Sequence, residues 1–155
     1  MLKRLAAATV TAAGLLIAMV GPSLAAGPQV DSWSNDVNVP YVDCGTFMAD
    51  GVWTVRHRLM MWFDAAGNPA RDHEIVTFSG AFVNHDTGTS VPDSGQSVYF
   101  DTLNPDGSYA TTMQNTVRHS RYLHTAGRFD FQTETFHGNA DTSDKYVALC
   151  EALGG

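Results

Sequence analysis

Residues 52–63 alternate. Trp53, Val55, His57, Leu59, Met61 and Phe63 stand at odd positions, while Thr54, Arg56 and Arg58 stand at even ones, with Met60 and Trp62 interrupting the polar side. A period of two with one apolar side predicts a half-buried β-strand. The same period predicts a strand over residues 71–83, where Val76, Phe78, Gly80 and Phe82 share a face. It returns over residues 96–103, where Val98 and Phe100 alternate with Ser97, Tyr99 and Asp101. Residues 109–117 set Tyr109, Met113 and Val117 on one side, and residues 128–135 alternate nearly throughout. A short first strand over residues 39–44, with Pro40 at its start or edge, follows an irregular polar stretch over 27–38. Residues 119–127 fit no clear period.

Turn formers punctuate these segments. Ala49-Asp50-Gly51, Asp64-Ala65-Ala66-Gly67-Asn68-Pro69, Asn84-His85-Asp86-Thr87-Gly88 and Asn104-Pro105-Asp106-Gly107-Ser108 each carry residues that favour tight reversal. Residues 144–153 fit a short helix capped by Thr142 or Ser143. About six strands joined by short turns, with no long amphipathic helix, predict an all-β, up-and-down antiparallel meander. An open sheet would leave its apolar face in water. The expectation is therefore a small β-barrel of about six to eight strands with a short C-terminal helix, a β-sandwich being the alternative.

The first residues change the size of the folding unit. Met1-Leu2-Lys3-Arg4 is a positive start, residues 5–20 are apolar, and Gly21-Pro22 and then Ser23-Leu24-Ala25-Ala26-Gly27 supply a break and small residues. This reads as a secretory signal peptide over residues 1–26, cleaved after Ala25 or Ala26. It leaves one secreted domain over residues 27–155. Without Lys3 and Arg4, 7 basic residues face 16 acidic ones, a formal charge of about −9. Such a surface repels nucleic acid and anionic membranes. In an exported chain the only two cysteines, Cys44 and Cys150, are expected to form a disulfide. Closing so long a loop restricts the unfolded chain by about 4 to 5 kcal/mol in the entropy model.

Candidate chemistry is sparse. His57 lies mid-strand on the apolar side and requires a hydrogen-bond partner if buried. Parity groups it with Trp53 and Met61, and sets Asn115 and His119 on the side of Met113 and Val117 in their own strand. These five, with Phe100 and Phe129 as further apolar walls, are the candidate lining of a small-molecule pocket. The six histidines lack metal-ligand spacing, no nucleophile motif is present, and no cofactor is implied. Glu74 and Glu134 are expected on a solvated face, as are Arg56, Arg58, Arg118 and Arg121, paired with acids on neighbouring strands.

The signal peptide, the cysteine pair and the meander ending in Ala126-Gly127-Arg128-Phe129-Asp130-Phe131 resemble small secreted β-barrel proteins of actinobacteria, mostly uncharacterised. The calycin barrels, lipocalin and avidin, are similar in architecture, as are allene-oxide-cyclase-like barrels; architecture alone transfers no activity. The resulting expectation is a secreted barrel binding a small apolar ligand. The alternatives are an exported structural, interaction or inhibitory module with a packed core, acting on an extracellular protein, and a small cyclase or isomerase with His57 as acid or base.

Overall fold

The computed structural model describes residues 27–154. The expected signal peptide lies outside the described residues. Seven antiparallel strands form one sheet in chain order: β1 (Gln29–Asp43), β2 (Met48–Phe63), β3 (Pro69–Asn84), β4 (Ser90–Leu103), β5 (Tyr109–Ser120), β6 (Ala126–Asp130) and β7 (Thr135–Asn139). A helix, α1 (Ser143–Gly154), follows. The all-β class, the meander and the C-terminal helix are as expected. β1 and β7 do not pair, so the ladder has two edge strands.

Four boundaries differ from the sequence reading. Ala49-Asp50-Gly51, expected as a turn, lies inside β2, because the chain reverses at residues 45–47, where the Cys44 amide donates to the Phe47 carbonyl. β1 begins at Gln29, so the polar stretch before Val39 is strand. It is an edge strand with mostly exposed side chains, and its residues had no apolar side to show. β4 begins at Ser90 and places Val91 and Asp93 in the interior. The alternation over residues 128–135 is cut by a turn. There Asp130 Oδ1 accepts the amides of Gln132 at 2.9 Å and Thr133 at 3.2 Å, and Glu134 has φ 51°. An aspartate that caps two following amides reverses a chain that its side-chain pattern would extend.

Pairing register assigns every strand residue to one of two faces. On the inner face Val37, Trp53, Gly80, Asp93 and Ser120 form one continuous row across five strands. Two glycines permit close approach there, one to a neighbouring backbone and one to a ring. A side chain at Gly80 would collide with the β2 backbone at Val52, and one at Gly95 with the ring of Phe78. At one end of this face α1 packs Leu149 and Leu153 against Ala49, Phe82, Val91 and Leu123, forming the buried core. The disulfide Cys44–Cys150 spans 106 positions, with its Cα atoms 5.5 Å apart, and ties the end of β1 to α1. No helix among the described residues is long and apolar enough to cross a membrane.

The sheet curls strongly. In a flat sheet β1 and β5 would lie roughly 19 Å apart, yet Arg118 Nη1 on β5 reaches the Tyr41 phenol on β1 at 2.6 Å. The register shifts between Pro40 and Val42. Proline supplies no ladder donor, so the bulge falls beside it. Tyr41, left out of the pairing, lies against the rings of Trp53 and Phe82.

Candidate functional site

The centre of the inner face is a buried ion pair walled by aromatics. Asp93 accepts Arg118 Nε at 3.0 Å and Nη2 at 2.7 Å, and its Oδ2 also accepts Trp53 Nε1 at 2.8 Å. The Asp93 side chain is 0% exposed and that of Arg118 11%. Such a carboxylate requires these donors, because an unpaired buried charge is strongly destabilising. The guanidinium lies over Phe82, Tyr41, Phe78 and Trp53 at 4.9 to 5.8 Å, a cation–π arrangement. Burial opposes its charge. The hydrogen bonds to Asp93 and Tyr41 outweigh that and hold its pKa above the ordinary arginine value.

Beside this centre the inner face is uncovered. A groove of about 280 Å³ runs along it, walled by Trp53, Val55, Val76 and Phe78, with Ser97 and Tyr99 as hydroxyl groups and Tyr41 and Arg118 closing one end. Ser97 Oγ and Thr116 Oγ1 lie 3.1 Å apart, and Gln114 Nε2 donates to both. The polar floor is therefore held in one orientation. A larger, more polar cleft of about 440 Å³ lies between the disulfide and α1, lined by Thr46, Phe47, Tyr146 and Glu151 among others. It contains no part of this network.

No protein-family model, curated protein or solved structure matches the chain.

His57 stands next along β2 from Val55, on the inner face as its parity implies. Its Nδ1 lies 2.7 Å from Glu74 Oε1 on β3, and its Nε2 lies 3.2 Å from Asn35 Oδ1 on β1. Trp33, directly opposite in register, stacks on the ring at 4.7 Å and 5°. Both nitrogens and one ring face are thus occupied by neighbouring strands. Glu74 is not on the solvated face expected of it. The strand register turns its side chain inward, opposite Leu59 and Tyr99.

One row further on, Asp72 and Asp101 face each other across β3 and β4, next to Met61. Both residues are buried, and the Oδ1 atom of each has no hydrogen-bond partner. Burial, then the hydrogen bond and charge of Asp101, then the charge of Glu74, push the Asp72 carboxyl up to about 7. Two carboxylates in contact in a dry site cannot both ionise cheaply.

Of the five sequence candidates, Trp53, His57 and Met61 share the inner face. Asn115 and His119 do not. Asn115 pairs with Val98, and His119 with Ser94, placing both on the outer face with Arg58 and Thr54. Met113, Asn115, Val117 and His119 do share one face of β5, but its apolar members Met113 and Val117 are themselves exposed. The inner side of β5 carries Gln114, Thr116 and Arg118 instead. Phe100 is also outer, against His73 at 4.7 Å, and Phe131 is exposed. Arg118 is not on the solvated face expected of it, although its partner is an acid on the neighbouring strand as expected. Asp93, Tyr41, Ser97 and the acidic pair were missed. A polar inner side on a strand facing an aromatic one leaves no mark in hydropathy.

Proposed function

We propose that the chain is an exported protein that binds a small, largely apolar ligand in the groove of its inner face. The observation that carries this reading is the groove itself: Trp53, Val55, Val76 and Phe78 form an apolar wall beside the few fixed polar groups of Ser97, Tyr99 and Arg118. Ligand sites are mostly apolar with a small number of oriented polar groups. Arg118 holds Asp93 and Tyr41 through three of its five N–H groups and closes one end of the groove, so the hydroxyls of Ser97 and Tyr99 are the readiest polar contacts for a ligand along the wall. The uncovered inner face weighs against a module with a filled core. The disulfide is consistent with an extracellular location. Native mass spectrometry of protein purified from culture medium tests the reading, with a retained small molecule as the expected result. Val76→Trp, which fills the groove, is expected to empty it without unfolding the sheet. A protein with no adduct that also ignores apolar ring compounds in titration would overturn the proposal.

A second reading is proton-transfer catalysis of the cyclase or isomerase type, favoured by the 2.7 Å His57–Glu74 contact. A carboxylate holding one ring nitrogen sets the tautomer for acid or base work at the other. Here the other nitrogen faces Asn35, so Asn35 would have to give way to substrate. Turnover of a candidate substrate that survives in Glu74→Gln and His57→Phe would exclude this reading.

A further inference from the structure

Tyr99 closes the groove at the end away from Arg118, and beyond it the inner face turns acidic. On the inner face Tyr99 stands directly opposite Glu74, and the next row holds the Asp72–Asp101 pair. Alternate residues advance about 6.7 Å along a strand, so an apolar body in the groove would bring a short chain to these acids. We infer that Asp72, Glu74 and Asp101 seat the ammonium end of an amine whose apolar body occupies the groove, an inference that rests on the groove being a ligand site.

Three observations support the seat. First, Asp72 and Asp101 are only 4% and 9% exposed, yet each keeps an Oδ1 with no partner. Buried carboxylate oxygens are ordinarily satisfied; the hydrogen bond between Asp72 and Asp101 leaves both Oδ1 atoms without a donor from the protein. Second, charge on this part of the inner face is unbalanced. Among the described residues no lysine or arginine pairs with any of the three acids, and Glu74 has only His57. Arg118 is committed to Asp93 and Tyr41. Third, two phenols stand beside the acids. The charges of Glu74 and Asp101 reach Tyr99 and those of all three acids reach Tyr109, helping burial raise both phenol pKa values. Carboxylates flanked by aromatic rings are the groups that recognise an organic cation. Glu74, with 27% of its side chain exposed, opens the seat to solvent. Asp72 and Asp101 lie in the next row of the same face. A cation seated here would favour the ionised form of Asp72 and oppose the burial and neighbouring acids that raise its pKa.

The test compares three probes with one body: 4-phenylbutylamine, 4-phenylbutan-1-ol and 4-phenylbutyrate, each titrated calorimetrically into the purified chain at pH 7.5. The amine is expected to bind about tenfold or more tighter than the alcohol, as a charge-assisted contact provides, with the carboxylate weakest. Glu74→Gln and Asp72→Asn are expected to bring the amine-to-alcohol ratio close to one. Circular dichroism checks the fold, and the part-exposed Glu74→Gln carries the test if Asp72→Asn does not fold. Equal binding of amine and alcohol by the unmodified chain would overturn the seat and leave the groove standing. Binding of none of the three would overturn both. Tight binding of calcium chloride, abolished by Asp72→Asn, would make the acids an inorganic cation site and overturn the amine.

Discussion

Arg118 on β5 donates to the phenol of Tyr41 on β1 at 2.6 Å, although three strands lie between them. The contact spans the inner face, and with the Asp93 pair beneath it, it links both sides of the curl. Polar groups placed inside an aromatic wall thus hold the shape that an all-apolar core would ordinarily hold.

Arg118→Met is therefore expected to destabilise the protein by about 3 to 5 kcal/mol, because it leaves Asp93 buried and unpaired. Asp93→Asn combined with Arg118→Met is expected to recover part of that loss. Urea unfolding of the two variants measures the difference, and a single variant within about 0.5 kcal/mol of the parent would contradict the buried-pair account.

Stability is expected to fall as pH rises from about 4 to about 7. An unfolded aspartate titrates near pH 4, whereas Asp72 in the fold holds its proton up to about 7. The folded state binds the extra proton, so its contribution is complete below the unfolded pKa and is lost as pH rises through the folded one. The slope is at most about 1.4 kcal/mol per pH unit. Unfolding midpoints across this window check it, and Asp72→Asn should remove that share of the slope.

Phe82→Ala and Leu59→Ala separate the covered end of the inner face from the open one. Phe82 is fully buried beneath α1, and its truncation should cost about 3 to 5 kcal/mol. Leu59 is half-buried beyond the groove, and its truncation should cost about 1 kcal/mol, less than a filled core site loses. Equal losses would mean that the open end is covered in solution.

Purified protein is expected to show no thiol reactive to alkylation until it is reduced. The Cys44–Cys150 bond closes a span of 106 positions, so reduction should lower stability by about 4 to 5 kcal/mol in the entropy model. The melting temperature by circular dichroism should fall while the β spectrum survives, because the core under α1 persists without the bond.

Much of the fold was legible in the residues. Period-two alternation in residues 52–63 and 71–83, the turn at Asn104-Pro105-Asp106-Gly107, the C-terminal helix and the cysteine pair are local or compositional features, and each corresponds to what the structure shows. The inward aspect of His57 was legible for the same reason, since its neighbours Val55 and Leu59 mark the face. What tertiary structure decided is which side of the polar strands turns inward. On β5, Met113, Asn115, Val117 and His119 look like the inner set by hydropathy, yet pairing with β4 turns them outward and brings Arg118 in. A strand's own sequence reports only that its two sides differ. Register with its neighbours chooses between them, and a side chain such as Arg118 is stable inside only because Asp93, 25 residues earlier, and Tyr41, 77 residues earlier, are folded against it. The same holds for Asp72 and Asp101, unremarkable surface acids until two strands align them face to face.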